Sequence, residues 1–437
     1  MVQAVSASDV VITGIGVMSP IGVDVDTFWA NLAAGRSGIT KTTLFPGFAA
    51  PDQAGGQVME FTEESARKVF LKDHRKNLKA MCREIQLGVA SAMQALANSK
   101  LDLSTINHER LGVEFGANLM LSAPDILASA CDASVSPENP TLQTSAWGRL
   151  GLPRMEPLWL LRYLPNMPAC HISIAADARG PSNSLTLDDA SGNTVLGEAQ
   201  RILQRGSADI MITGSTGTTL HPIKTMHLGL WHELATSPAE PSQRCRPFDR
   251  DASGRVVAEG ACTFILETRT HAEGRGAPIL GRILGTGSGV VTTREGKPLF
   301  REAFVRAIRS ALKSADLSPE DIGHVNAHGL GMKDVDVAEA RAILDVFGPE
   351  LGRRIPVTAM KSVLGNSGAG SGTLELAASL ISLQHGVIPA TLNCDNVNPE
   401  CPLNIVRGEP RSTTNKVVLS LNVTRAGQAS AAIVECS

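Results

Sequence analysis

Two adjacent carboxylates, Asp188 and Asp189, stand in the run Gly180-Pro181-Ser182-Asn183-Ser184-Leu185-Thr186-Leu187-Asp188-Asp189-Ala190-Ser191-Gly192. A Gly-Pro turn precedes them and small residues follow. From Thr194 the apolar residues Val195, Leu196, Ala199, Ile202 and Leu203 recur at helical spacing. Ala208 to Gly214 then reads as a buried strand. The pattern predicts a sharp turn feeding a helix N-terminus, with the apex side chain at the positive end of the helix dipole. Several enzyme classes hold a nucleophile on such a turn. Here the apex carries Asp189, with Asp188 as the one-residue register alternative. A carboxylate in that place stays ionised and gains about 0.3–1 kcal/mol from the dipole. An acyl group transferred to it would be a mixed anhydride, too reactive to store. Asp189 then either caps the helix or serves as a base or ligand-binding anion.

Composition narrows the function classes. A chain of 437 residues, 43% hydrophobic and 19% charged, buries one large core or two. The net charge is −3 and Lys and Arg are scattered, so no field draws nucleic acid or an anionic membrane. One Tyr, four Trp and eleven Phe leave little for a base-stacking platform. The eight cysteines (Cys82, Cys131, Cys170, Cys245, Cys262, Cys394, Cys401, Cys436) show neither CxxC spacing nor a Cys/His cluster. They read as thiols of a reducing compartment, with no metal and no cofactor expected. Val10 to Val17 is apolar without a basic stretch ahead of it, which reads as a strand and not an export signal. No run approaches the roughly 18 apolar residues of a membrane span. A cytoplasmic protein is expected.

The elements that must position the turn alternate along the chain. Strands are expected at Asp9 to Gly16, Leu111 to Phe115 and 208–214, and helices at Val23 to Ala34 and Asn77 to Leu96. Residues 40–65, Pro124 to Met155 and the stretch up to Arg244 read as loop or irregular excursion. A composition shift at Thr268 to Ala277 marks a seam. Beyond it, Ile279 to Gly285 is strand-like, Arg301 to Ala315 helical, His324 to His328 a strand end, and Asp336 to Phe347 helical. Thr373 to His385 reads as a buried helix, and Lys416 to Leu421 with Ser430 to Glu435 as two closing strands. Alternation in both halves argues an α/β fold with mainly parallel, helix-covered sheets. The similar order of the halves suggests a duplication at the level of the fold. Gly365 to Gly372 lacks the terminal Lys-Ser/Thr of a phosphate loop and reads as close backbone packing. His74, His108, His171, His221, His227, His232, His271, His324 and His385 have no metal-ligand spacing; His221 and His227 follow the central strand and are placed to line a pocket.

Four long motifs occur in order. They are Val11-Ile12-Thr13-Gly14-Ile15-Gly16-Val17-Met18-Ser19-Pro20-Ile21-Gly22, Cys245-Arg246-Pro247-Phe248-Asp249-Arg250-Asp251 with Glu259-Gly260-Ala261, Val325-Asn326-Ala327-His328-Gly329, and Met360-Lys361-Ser362-Val363-Leu364-Gly365. In them, and over nearly its whole length, the chain resembles the β-ketoacyl-acyl carrier protein synthases, elongating condensing enzymes of the duplicated thiolase fold. The resemblance implies two mixed, mainly parallel sheets in helix-covered αβαβα layers, with an N-terminal half at 1–267 and a C-terminal half at 268–437.

That family takes an acyl chain onto a Cys at a helix N-terminus, and two His stabilise the enolate formed when malonyl-carrier protein loses carbon dioxide. By resemblance the Cys position falls on Asp189, the first His is kept as His328, and the second falls on Asn366. Lys361 and Glu375 match the supporting Lys and Glu. The pantetheine-holding Thr-Ser-Thr is Leu330-Gly331-Met332 here, and the gating Gly-Phe-Gly-Gly loop is Thr424-Arg425-Ala426-Gly427. His328 is either a core histidine or half of an Asp189–His328 dyad that activates water or a hydroxyl. Asn366 does not titrate but can donate to a carbonyl oxygen. Lys361 and Glu375 read as a buried ion pair, and Arg425 either faces solvent or pairs with Asp189 to close the pocket.

The scaffold motifs persist while the site has changed. The resemblance therefore implies a non-condensing partner subunit like the chain-length factors of polyketide systems. The alternatives are an active acyltransferase or hydrolase using His328 with Asp189, and an acyl-binding partner without turnover. The implied partners are acyl carrier protein and a second subunit, as a homodimer or as a heterodimer with an active ketosynthase.

Overall fold

The protein is described from a computed structural model covering residues 6, 8–44, 50–136, 138 and 140–437. In the N-terminal half the strands are β1 (Val10–Met18), β2 (Leu111–Ala117), β3 (Ser182–Leu185), β4 (Ile210–Thr218) and β5 (Glu259–Thr268). In the C-terminal half they are β6 (Gly281–Val290), β7 (His324–Asn326), β8 (Pro356–Thr358), β9 (Asn404–Ile405), β10 (Val417–Val423) and β11 (Gln428–Cys436). The order across the sheet is β9-β8-β7-β10-β11-β6-β1-β5-β4-β2-β3.

The two halves repeat one pattern. In the first, β2 pairs in parallel with β3 and β4, β4 is antiparallel to β5, and β5 to β1. In the second, β7 pairs in parallel with β8 and β10, β10 is antiparallel to β11, and β11 to β6. β1 and β6 join the arrays through Val10↔Ile283, Val11↔Arg282 and Ile12↔Gly281. β1, β2 and β10 are buried along their whole length, which is why they read as apolar runs rather than alternating ones.

The helices make the layers. α1 (Arg83–Asn98) covers β1 and β5 on one outside, and α2 (Phe300–Ala315) covers β6 and β11 on the other. Between the arrays lie α3 (Ser191–Gln204) and α4 (Ser371–Gln384), 14 residues each. Their apolar faces share one core that includes Leu196, Ala199, Ile202, Leu376 and Leu380, with β1 and β5 side chains on one side and Val418, Ala432 and Val434 on the other. The two helices meet through glycine: a Cβ on Gly192 would lie 2.7 Å from the Thr373 backbone nitrogen. Small residues there let both N-termini reach the centre of the molecule.

Several boundaries differ from those the sequence suggests. The helix expected from Asn77 starts at Arg83, after a separate 3-10 turn at Leu78–Ala80. The expected loop at 40–65 contains Ile39–Lys41 paired with Ala54–Gly56, and its residues 45–49 lie outside those described. The excursion from Pro124 begins with a helix, Pro124–Asp132, started by its own proline. The stretch up to Arg244 contains Pro222–Leu230, whose N-terminus His221 caps by accepting from Ile223 N–H. β5 begins inside the Glu259-Gly260-Ala261 motif and is buried from Glu259 to Glu267 between β1 and β4. Among the described residues no helix is long and apolar enough to cross a membrane.

Candidate active site

The N-termini of α3 and α4 face one another. A single 3-10 turn, Asp188–Ala190, leads into α3, and a matching turn, Gly368–Gly370, leads into α4. Asp188 takes the left-handed backbone, with φ 41°, a conformation costing on the order of 1–3 kcal/mol for a residue with a side chain. This strain turns the next residue inward: Asp189 is buried. Its Oδ1 accepts a hydrogen bond from Asn366 Nδ2 at 2.5 Å. Asn366 is pinned in turn, its N–H donating to Val256 O and its carbonyl accepting from Ala258 N–H. Gly365 beside it has φ +75°, and a Cβ there would meet the Ala258 methyl at 2.8 Å. Asn118, at the end of β2, donates to Thr218 O and Ser367 O and accepts from Ala369 N–H. It ties the α4 turn to the N-terminal half.

His328 follows β7 and is fully buried. Its loop hangs on two acids of the following helix (Lys333–Arg354). Glu339 accepts from the N–H groups of His328 and Gly329, and Asp336 from those of Leu330, Gly331 and Phe248. Burial pushes the Glu339 carboxyl up to about 8 and that of Asp336 up to about 7. Lys361 Nζ donates to Glu375 Oε1 at 2.6 Å and to His328 O at 2.9 Å, and lies 3.2 Å from His328 Nδ1. Asn422 Nδ2 holds the other Glu375 oxygen at 2.8 Å. Burial raises the Glu375 pKa while the Lys361 ammonium opposes the rise. Burial, then Lys361, then Arg255 hold the His328 imidazole far below its usual range, so it is neutral. With Lys361 donating to Nδ1, the imidazole proton sits on Nε2, which has no partner among the described residues.

Lys361 and Glu375 form the buried ion pair expected of them. Two other expected contacts are absent. Among the described residues no hydrogen bond or ion pair joins His328 to Asp189: the imidazole is engaged by Lys361 and the carboxylate by Asn366. Nor does Arg425 pair with Asp189. Its Nε lies 2.6 Å from Glu233 Oε1, and its guanidinium stacks over the Trp231 ring at 3.5 Å. Glu233 is the nearer anion because Trp231 fixes the plane of the guanidinium.

Two cavities converge on this centre. One, of about 240 Å³, is lined by Asp189 and Asn366 together with His227; the other, of about 560 Å³, is lined by His328, Leu330 and Met332. Asp188, Glu233, Arg255 and Arg425 belong to both walls. His221 instead lines a neighbouring cavity. Sequence reasoning missed Asn118, Glu233, Arg255, Asp336, Glu339 and Asn422. Asp336 and Glu339 were findable as acids three apart on the helix after the His328-Gly329 turn. The others are brought in by tertiary contacts alone. All eight cysteines are free thiols, and among the described residues no group of His, Cys, Asp and Glu is arranged to hold a metal.

A duplicated, helix-filled sheet with two facing helix N-termini and a buried His–Lys–Glu cluster between them defines the thiolase-like class of α/β proteins. Residues 7–272 match Beta-ketoacyl synthase, N-terminal domain, and residues 285–395 match Beta-ketoacyl synthase, C-terminal domain. A 3-oxoacyl-[acyl-carrier-protein] synthase 2 of Synechocystis is 32% identical over 415 residues, covering 94% of each chain. The actinorhodin polyketide putative beta-ketoacyl synthase 1 of Streptomyces coelicolor is 32% identical over 431 residues, 97% of this chain and 88% of that one. A solved ishigamide ketosynthase/chain length factor superposes with a TM-score of 0.85 at 27% identity, covering 99% of this chain and 100% of the other. The chain belongs to the β-ketoacyl synthase family. It is ketosynthase-like, of the kind that serves fatty-acid and polyketide synthesis.

Proposed function

We propose that this chain is a non-condensing, chain-length-factor-like subunit that partners an active ketosynthase. Asp189 stands where the family places its acyl-accepting Cys, and Asn366 where it places the second His. The hydrogen bond between them carries the reading. One N–H of the amide that would otherwise donate to a substrate carbonyl is taken by the carboxylate, and the carboxylate would hold an acyl chain only as a reactive mixed anhydride. The His328–Lys361–Glu375 cluster is kept as a folded network. A hydrolase or acyltransferase using an Asp189–His328 dyad would need a contact that these side chains do not make.

On this reading the partners are acyl carrier protein and a second ketosynthase-type subunit in a cytoplasmic dimer. The units of the fold are 1–267 and 268–437, in keeping with the repeated strand pattern. The test is release of carbon dioxide and of β-ketoacyl product from malonyl- and acyl-carrier proteins, with and without a co-encoded synthase. This chain alone is expected to give neither, and to alter product length when the synthase is present. Turnover by this chain alone, abolished by His328→Ala, would contradict the proposal.

A further inference from the structure

The wall shared by the two cavities is charged, with Arg255 and Arg425 beside Glu233 and Asp188; Asp189 lines the smaller cavity and Asp334 the larger. Arg255 is only 7% exposed. Its Nη2 lies 2.9 Å from Glu233 Oε2 and 3.7 Å from Met332 Sδ, and its Nε has no hydrogen-bond partner among the described residues. Arg425 occupies the other Glu233 oxygen. Two guanidiniums thus face one carboxylate. The other acid of this wall, Asp188, makes no ion pair with either guanidinium among the described residues; burial, then the neighbouring Asp189, push its pKa up, and Lys224 and Arg255 oppose the rise. Lys224, which lines the smaller cavity, is already engaged with Glu84 and Thr218 O.

Such a wall is a poor host for a plain alkyl chain. Packing methylenes against Arg255 and Glu233 strips their water and returns no hydrogen bond. A carboxylate would restore the open guanidinium bond in its charge-assisted, strong form. We propose that Arg255, only partly engaged by Glu233, is an anion receptor that takes the free carboxylate of a carboxyl-bearing acyl group entering these cavities. The site selects acyl groups with a terminal acid over alkyl ones. It would do so whether or not the chain turns the acyl group over, so this proposal and the non-condensing reading can fail separately.

The probes are two N-acetylcysteamine thioesters of matched shape, succinyl and 4-methylpentanoyl, titrated into the purified protein by calorimetry. The succinyl thioester is expected to bind at least about tenfold more tightly, the size of one charge-assisted hydrogen bond. Arg255→Met should remove that preference. Glu233→Gln frees the guanidinium and should strengthen succinyl binding, which keeps the proposal testable if Arg255→Met fails to fold. Equal or tighter binding of the 4-methylpentanoyl thioester would overturn it. So would a succinyl affinity that is undetectable, or one unchanged in Glu233→Gln and in folded Arg255→Met.

Discussion

The two halves are built alike but used differently. Each runs its strands in the same order and ends a turn at a 14-residue central helix. In the C-terminal half the site's ionisable groups interlock: His328, Lys361 and Glu375 form one chain of contacts, and Asp336 and Glu339 carry the His328 loop. In the N-terminal half Asp188, Glu233 and Arg255 form a wall open to two cavities. The interlocked network holds positions fixed, and on the proposed reading the open wall selects what enters.

The comparison predicts a ranking of effects. The largest belongs to Lys361→Met, which strands Glu375 in a dry interior. Thermal unfolding should show a loss of about 3–5 kcal/mol. The double variant with Glu375→Leu should recover most of it, because it removes the buried charge too. Next is Gly192→Ala, at the contact between the central helices. Its Cβ would press on backbone at 2.7 Å, costing about 1–3 kcal/mol. Gly274→Ala, with nothing near its Cβ, should change stability by less than about 0.5 kcal/mol.

A pH series sharpens the contrast further. Glu339 is pushed from 4.5 to about 8, so the folded state holds a proton that the unfolded state has lost. Stability should therefore fall as pH rises from 4.5 to about 8 on account of this group. His328, shifted down from 6.5, works in the opposite sense, but only below 6.5. Asp336, Glu84 and Glu114, each pushed up to about 7, add to the decline up to that pH; between pH 7 and 8 Glu339 dominates, with a slope of at most about 1.4 kcal/mol per unit for one proton, and Glu339→Gln should flatten it. Smallest is Arg425→Ala. Its side chain is half exposed and its ion pair with Glu233 lies at a rim, so denaturant unfolding should move by no more than about 1 kcal/mol.

Much of the fold was legible because its signals are local. The turn at Asp188–Asp189, the α3 spacing and the fully apolar strands are written into short runs. The positions of His328, Lys361, Asn366 and Glu375 came from motif order and not from any spacing between them. What stayed hidden is what only the fold assembles. Arg255 and Glu233 meet across a loop, Asn118 reaches the α4 turn from another strand, and Trp231 captures Arg425 away from Asp189. The strain at Asp188 was also unreadable, since the run marks a turn without saying which residue takes the positive φ.

The central claim is that Asp189, held by Asn366, carries no acyl chain. Intact-protein mass spectrometry after incubation with acyl-carrier protein substrates tests it most directly. The account predicts an unchanged mass for this chain and an acyl increment only on an accompanying Cys-bearing synthase. An acyl increment mapped to the 180–192 peptide of this chain, chased into a longer ketone by malonyl-carrier protein, would contradict it.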